Sequence, residues 1–426
     1  MAITINTEPY TWTPRGQKLI YDLTSTNSGN TGFKFGIEVN DVAAGKTYTF
    51  FLDPSPDGHA YFDLNPLVIL LNKEDTAIHA TTATVHTEPE GNSWKSYELT
   101  FREWWVIGGV LTENDGVTAT ATTAVYNGYL QPIEGYRPNV FGSSNKEVKI
   151  ANNVNSDYMQ SDRRFDTFNF SLAQSLGITP GANTVFIPTN QSDWGLLFVT
   201  GSDEYCSPTA IDSYRVEVFG SSSASAFVPF TASPQVGIPC YPQNLKNSTD
   251  PLVPDPLSLG WDYYIISAYN GGTRVSKQYY FFNTEKFGQY DCRYEYKRLA
   301  WTNSRGGWDY FNFIKKNEIT NNIERKQYKR VLFNGTSTIF SRYDRQVFDR
   351  QNIVTQTLSL ASDWVQENEF EFLRSLMVSN QVHLVNSTGG HVPVSVEESS
   401  FLERKERNGK LYNVTLKVGY SQDYSS

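Results

Sequence analysis

Cysteine is almost missing from this chain. Cys206, Cys240 and Cys292 are an odd number in 426 residues, they are widely spaced, and no C-x-x-C pair occurs. Neither zinc nor redox chemistry is therefore indicated, and the three read as buried free thiols. Histidine is scarce as well. His59, His79, His86, His383 and His391 include no metal-ligand spacing such as H-E-x-x-H. His59 reads as a turn residue and His383 as part of a strand. There is no G-x-S-x-G elbow, P-loop or dinucleotide fingerprint, and Gly306-Gly307 is a turn pair rather than a phosphate cradle. Glu367 and Glu369 lie two apart on a predicted helix and do not face each other. A glycosidase dyad with partners distant in sequence stays open as a class. No catalytic, cofactor-binding or metal-binding residue is assigned, no cofactor is implied, and the chain reads as a non-enzyme.

Long apolar runs are missing too. The longest, Leu67 to Leu71, falls far short of the roughly 20 residues that span a bilayer, so no membrane span is expected. The opening MAITINTEPYTWTPRG has neither a basic n-region nor an apolar h-region. The expectation is a chain made in a cytoplasm that stays soluble. Charged residues are only 19%, which excludes a disordered or coiled-coil composition. The formal charge of −9 argues against nucleic acid as a partner, because sequence-independent binding rests on cationic contacts.

Aromatic residues are abundant, at 14%, which favours β-structure, where rings and β-branched side chains fit a pleated surface. The length predicts two to four domains. Residues 1–131 read as short strands, among them KLIYDL (Lys18–Leu23), FKFGIEV (Phe33–Val39), TYTFFL (Thr47–Leu52) and YELTFREWWVIGGV (Tyr97–Val110). Strands at this spacing, with turn signals such as Asp53-Pro-Ser-Pro-Asp-Gly58, predict a β-sandwich. Phe62–Leu71 reads as an irregular or short helical insertion, since Asn65-Pro66 favours helix initiation at the proline. Residues 132–164, rich in Asn, Ser and Gly, read as an extended linker that clasps a neighbour. Residues 165–292 read as a second, Ig-like sandwich, with Trp194 and Trp261 as candidate core rings.

Residues 293–426 read as an α+β assembly domain. Its helix is predicted over Ala361–Met377, with Asp363 as N-cap and Gln366 completing a capping box. Val365, Phe372 and Leu376, then Leu373 and Met377, form its apolar stripe. Strands VTQTLSL (Val354–Leu360), VHLV (Val382–Val385), VPVSV (Val392–Val396) and LYNVTLKV (Leu411–Val418) surround it. Charge is uneven here: Arg293–Arg350 holds thirteen Lys/Arg and six Asp/Glu, so the remainder of the chain is strongly acidic. Such asymmetry can steer self-assembly or docking, or can be a solvated face. Lys315, Lys316, Arg325, Lys326, Lys329 and Arg330 are the candidate assembly residues.

One motif stands apart, RLAWTNSRGGWDYFNF (Arg298–Phe313). Asn303–Gly307 supplies residues that reverse a chain, so the segment reads as a hairpin with rings paired across it. The same rings could instead form a stacking platform for single-stranded nucleic acid or a sugar-binding surface. Trp104, Trp105, Trp301 and Trp308 are the rings a carbohydrate shelf would need exposed.

The segment Lys297–Phe313 resembles a string found in virion proteins of tailed bacteriophages, especially those of Bacteroidetes, the crAss-like phages and their marine relatives. Arg298, Leu299, Trp301, Asn303, Gly306, Trp308, Asp309, Phe311 and Phe313 carry it. The pattern from Thr357 to Ser379, then Val382–Val385, Val392–Val396 and Lys410–Thr415, is similar to the same proteins. So are Leu23–Ser28 and Gly32–Phe35. The resemblance implies a structural part of the tail, baseplate or neck, located in the virion, with itself in an oligomeric ring and other virion proteins as partners. The C-terminal strand–helix–strand order resembles tube-type tail domains by fold analogy. The alternative it leaves is a receptor-binding or carbohydrate-binding tail module, with a host-surface glycan as partner.

Overall fold

A computed structural model of the chain describes residues 3–9, 11–16, 18–71, 84–87, 90–91, 93–128, 139–140, 161–163, 176–178, 184–199, 211–231, 233–287, 294–330, 345–397, 411–422 and 424–425. The expected mainly-β class is what they show, arranged in several sheets.

The first region holds β1 (Ile3–Glu8), β2 (Trp12–Pro14), β3 (Ile20–Ser25), β4 (Lys34–Asp41), β5 (Lys46–Leu52), β6 (His59–Asp63), α1 (Asn65–Leu71), β7 (His86–Thr87), β8 (Trp94–Ile107), β9 (Val110–Tyr126) and β10 (Asn139–Val140). Two sheets, β10-β1-β3-β6 and β2-β9-β8-β4-β5, face each other. Strict alternation drives this: Phe35, Ile37 and Val39 on β4 and Tyr97, Leu99 and Phe101 on β8 point inward and are buried. They meet Ile3, Ile5, Tyr21 and Leu23 from the opposite sheet. Helix α1 starts at Asn65 with Pro66 in its first turn, as predicted, and buries Val68. His59 opens β6 rather than a turn, because it pairs with Thr24. The strand read as Tyr97–Val110 is in fact two. Gly108 and Gly109 both take left-handed φ (61° and 87°), and β9 returns antiparallel beside β8.

The second region contributes β11 (Thr184–Thr189), β12 (Leu196–Val199), β13 (Ser213–Gly220), β14 (Ala224–Pro229), β15 (Val236–Pro239), α2 (Pro242–Lys246), β16 (Trp261–Asn270), β17 (Thr273–Arg274) and β18 (Gln278–Asn283). Strands β11-β18-β16-β13-β14, with β17 on β16, form one sheet, and β12-β15-β7 form a smaller one. Their shared core includes the buried Trp261, Tyr214, Tyr264, Phe198 and Ile238, a sandwich-like arrangement in which Trp261 sits as predicted. Trp194 is only partly buried at its edge. Strand β7 comes from the first region, so the two regions are interleaved.

The third region has β19 (Lys297–Thr302), β20 (Trp308–Phe313), β21 (Glu318–Lys329), β22 (Val347–Gln366), α3 (Glu367–Val378), β23 (Val382–Val385), β24 (His391–Val396), β25 (Leu411–Tyr420) and β26 (Tyr424–Ser425). They form one sheet, β20-β19-β23-β24-β25-β22-β21, with β26 beside β22. Helix α3 covers one face through Phe370, Phe372, Leu373 and Leu376. The predicted helix start is corrected. Asp363 is not an N-cap, because β22 stays paired to β25 as far as Gln366 opposite Leu411, across an irregularity between Ala361 and Trp364. Within that irregularity, Ser362 accepts the Val414 N–H at 3.0 Å through its hydroxyl. Ladder pairing thus overrides a capping signal that is sound locally. Of the cysteines, Cys240 is buried and free, while Cys206 and Cys292 lie outside the described residues. No helix of the described residues is long and apolar enough to cross a membrane.

Candidate functional site

The hairpin motif is a joint. Strands β19 and β20 pair in register, Leu299 opposite Phe311 and Trp301 opposite Asp309. Because side chains alternate, the two faces of this hairpin serve different cores. Leu299, Trp301, Phe311 and Phe313 pack under α3, with the Trp301 ring 5.0 Å from Phe372 and its Nε1 donating to Ser375 Oγ at 2.8 Å. Ala300, Trp308 and Tyr310 belong to the core of the second region. Trp301 and Trp308 are buried and offer no face to a sugar or a base. Trp104 and Trp105 are part-exposed. Trp104 lies over Gly36, where a Cβ would come within 2.5 Å of its Nε1, and beside Phe51.

The turn between the strands is built by Asn303, which is fully buried. Its Oδ1 accepts the N–H groups of Arg305 and Gly307, each at 3.0 Å, and its Nδ2 donates to Asp309 Oδ2 at 3.0 Å. Gly306 has φ 82°, and a Cβ there would meet the Tyr126 ring at 2.8 Å. It is therefore glycine for two reasons, backbone hand and close approach. The Gly306 carbonyl accepts from Gln235 Nε2 at 2.6 Å, and Ser93 donates to Gln235 Oε1. All three regions thus meet at this turn.

The linker reaches the same point. The Ser161 hydroxyl donates to Asp309 Oδ1 at 2.5 Å, and the Asp162 N–H donates to Asp309 Oδ2 at 2.8 Å. Asp162 in turn accepts the Ser304 N–H at 2.8 Å and the Ser304 hydroxyl. Arg163 is buried, reaches Glu369 on α3 at 3.4 Å and lies 4.3 Å from the Phe372 ring centre. Burial and the neighbouring Asp162 carboxylate push the Asp309 carboxyl up to about 6, against donors that favour its ionised form. At 161–163 the segment read as a clasp on a neighbour closes on this chain's own joint. Apart from Asn139–Val140, the rest of residues 132–160 lies outside the described residues.

A second polar knot stands beside it. Arg298 is buried against Asp193 at 3.2 Å, donates to Asn312 Oδ1 at 2.7 Å and to the Trp194 carbonyl at 3.0 Å, and stacks on Tyr241 and Tyr310. Asn312 donates to Asp193 Oδ2 at 2.8 Å. Asp193 holds the guanidinium pKa up despite the burial that opposes it.

The predicted basic residues fall elsewhere. They do not cluster; they run along β21, which with β22 forms a long arm at the edge of the sheet. Lys315 is half-buried at its base, and Lys316 pairs with Glu318. Arg325, Lys326, Lys329 and Arg330 lie toward its far end, opposite Asn352, Gln351, Val347 and Gln346. Every residue of β21 is exposed. Beyond Ile353, the arm is a two-stranded ribbon among the described residues, with Tyr328 stacked on Phe348 at 5.4 Å. Twelve residues of strand extend about 40 Å. By alternation, Ile319, Ile323, Arg325 and Lys329 share one face. Ile319, Ile323 and Tyr328 are 53%, 52% and 51% exposed.

Sequence reasoning missed the residues that lock the joint, Ser161, Asp162, Arg163, Gln235 and Asp193, because their partners are remote in the chain. It also missed the apolar hairpin tip at Ile107–Val110, whose Gly108-Gly109 pair between apolar residues was the available signal. Compared with protein-family models and with curated proteins, the chain matches none.

Proposed function

We propose that this chain is a structural subunit of a tailed-bacteriophage particle, at the tail, baseplate or neck, and that it works by protein–protein assembly with copies of itself and with other virion proteins. The resemblance of Lys297–Phe313 and of the C-terminal pattern supports the virion reading. The arm is the observation that carries the assembly reading. A two-stranded ribbon is marginal in water by itself. An edge strand with exposed isoleucines is also a pairing hazard unless something covers it. Here β21 keeps Ile319 and Ile323 in solvent where β22 is also paired to β25 or β26, and Tyr328 in solvent on the two-stranded part, interspersed with arginine and lysine. That combination suits an interface in which apolar burial supplies affinity and charge sets the partner.

The joint suits the same role. An arm that bears load between subunits needs a rigid base, and the three regions are fastened at one turn. The test is native mass by light scattering, at low and high salt, for the natural chain and for an Ile319→Asp/Ile323→Asp variant. The expected result is an oligomer that loosens as salt rises and that the variant does not form. An oligomer that the variant forms unchanged would overturn the arm's role.

A further inference from the structure

The arm is not the only exposed apolar element. The β8–β9 hairpin ends in Val106-Ile107-Gly108-Gly109-Val110-Leu111, with Ile107 opposite Val110 and Val106 opposite Leu111. Ile107 is 53% and Val110 65% exposed, and Val106 and Leu111 are exposed as well. Hairpin loops ordinarily carry polar turn residues, so apolar side chains on both faces of a tip call for an explanation. The base of the tip is held firmly. The Val106 N–H donates to the Thr31 carbonyl at 3.0 Å, and Val106 sits where a Cβ on Gly32 would be, 2.7 Å away. The tip is thus a pre-formed apolar finger on the first sandwich.

Charge indicates what it fits. Residues 1–131 hold fifteen Asp/Glu and seven Lys/Arg, a net −8. The described arm, 315–330 with 345–352, holds eight Lys/Arg and three Asp/Glu, a net +5. The arm face with Ile319, Ile323, Arg325 and Lys329 therefore offers apolar contact with a basic surround, and the finger offers apolar contact from an acidic sandwich. An acidic carrier disfavours the anionic lipid surfaces that an apolar finger could otherwise enter. We infer that the finger of one copy docks on the arm of a second copy, in a head-to-tail contact. Such heterologous contacts produce rings when they close and filaments when they do not. The inference rests on the assembly reading above and adds the arm's occupant to it.

The experiment places a photo-crosslinking phenylalanine analogue at Val110 in the full chain and maps the linked peptides in a mixture of isotopically light and heavy protein. Mixed light–heavy links between Val110 and residues 315–330 or 345–352 are expected. In parallel, Ile107→Ser/Val110→Ser should weaken self-association about tenfold or more, as loss of a central apolar anchor does without adding charge. Its thermal midpoint, read at a concentration where both proteins are monomeric, should stay close to the parent's, since in the single chain these side chains stand largely in water. If the arm variant disperses the oligomer but the finger variant does not, this inference fails and the arm reading stands. If the arm variant has no effect, the assembly reading fails first. A monomer at every concentration, links to another surface, or binding of the finger to lipid vesicles would each overturn the finger–arm contact.

Discussion

Replacing Asp309 by asparagine should stabilise the protein at neutral pH, although it removes a charge from a fully hydrogen-bonded site. The carboxylate accepts three bonds: Oδ1 from Ser161, and Oδ2 from the Asp162 N–H and Asn303 Nδ2. An asparagine whose carbonyl takes the Oδ2 position keeps two of them. Its amide then faces Ser161 Oγ, which already accepts the Arg163 N–H at 3.2 Å and has a second lone pair to offer. What disappears is a buried charge beside Asp162. The folded carboxyl titrates near 6 instead of its ordinary 3.8, so the fold holds its proton more tightly than the unfolded chain does. Stability from this group is therefore fully present below the ordinary value and is lost as pH rises through about 6. Above that, the ionised form costs about 3 kcal/mol relative to the neutral one. Unfolding should be followed at about pH 7.5 and about pH 4 in parallel. The variant should be more stable by up to about 3 kcal/mol at the higher pH, and the difference should shrink toward zero at the lower one. Asp309→Ala is the control. It leaves buried donors unmet at about 1–3 kcal/mol each and should destabilise at both pH values. A variant–parent difference that is flat with pH, or an asparagine chain weakened as much as the alanine one, would refute the reasoning.

Three further outcomes follow from the same joint. Arg298→Ala leaves Asp193 buried without its cation and should cost about 3–5 kcal/mol, measured by urea unfolding. Gly128→Ala drives a methyl group into the Ser304 carbonyl and the Tyr126 ring, so it should loosen the first region from the turn. Faster hydrogen exchange at Asn303–Gly307 would report it, with the first sandwich unaffected. Trp301→Ala empties a fully buried site beneath α3 and should cost about 3–5 kcal/mol, read as a lowered unfolding midpoint.

How much of this was legible in the chain depends on the range of each signal. Alternation in Phe33–Val39 and the β-branched runs around α3 report a local period, and strands lie at those positions. The Asn303–Gly307 turn was legible because glycine and asparagine chemistry is local as well. The helix start was misplaced because Asp363 and Gln366 look like a cap over four residues, while the ladder that carries β22 on from Trp364 to Gln366 comes from Asn413 to Leu411, some fifty residues away. The clasp was expected to grip a neighbour. A run of Asn, Ser and Gly carries no mark that Ser161 and Asp162 will meet Asp309, about 150 residues on. The interleaving of β7 with the second region is hidden for the same reason, since two residues of strand have no period to read.

The basic residues illustrate what composition conveys and what it leaves out. The positive excess in Arg293–Arg350 was visible as a sum, but it combines two kinds of arginine. Arg298 is neutralised inside the joint by Asp193, so it contributes nothing to an external field. Arg325, Lys326, Lys329 and Arg330 stand in water on a ribbon that has no core of its own. Only topology separates them. The rings follow the same division: those of β19 and β20 are consumed by two cores, while Tyr328 and Phe348 stack out on the arm. The aromatic motif is thus the hairpin that its turn residues indicated, with its rings spent on packing, and the plainer, charged sequence that follows it stays exposed along β21.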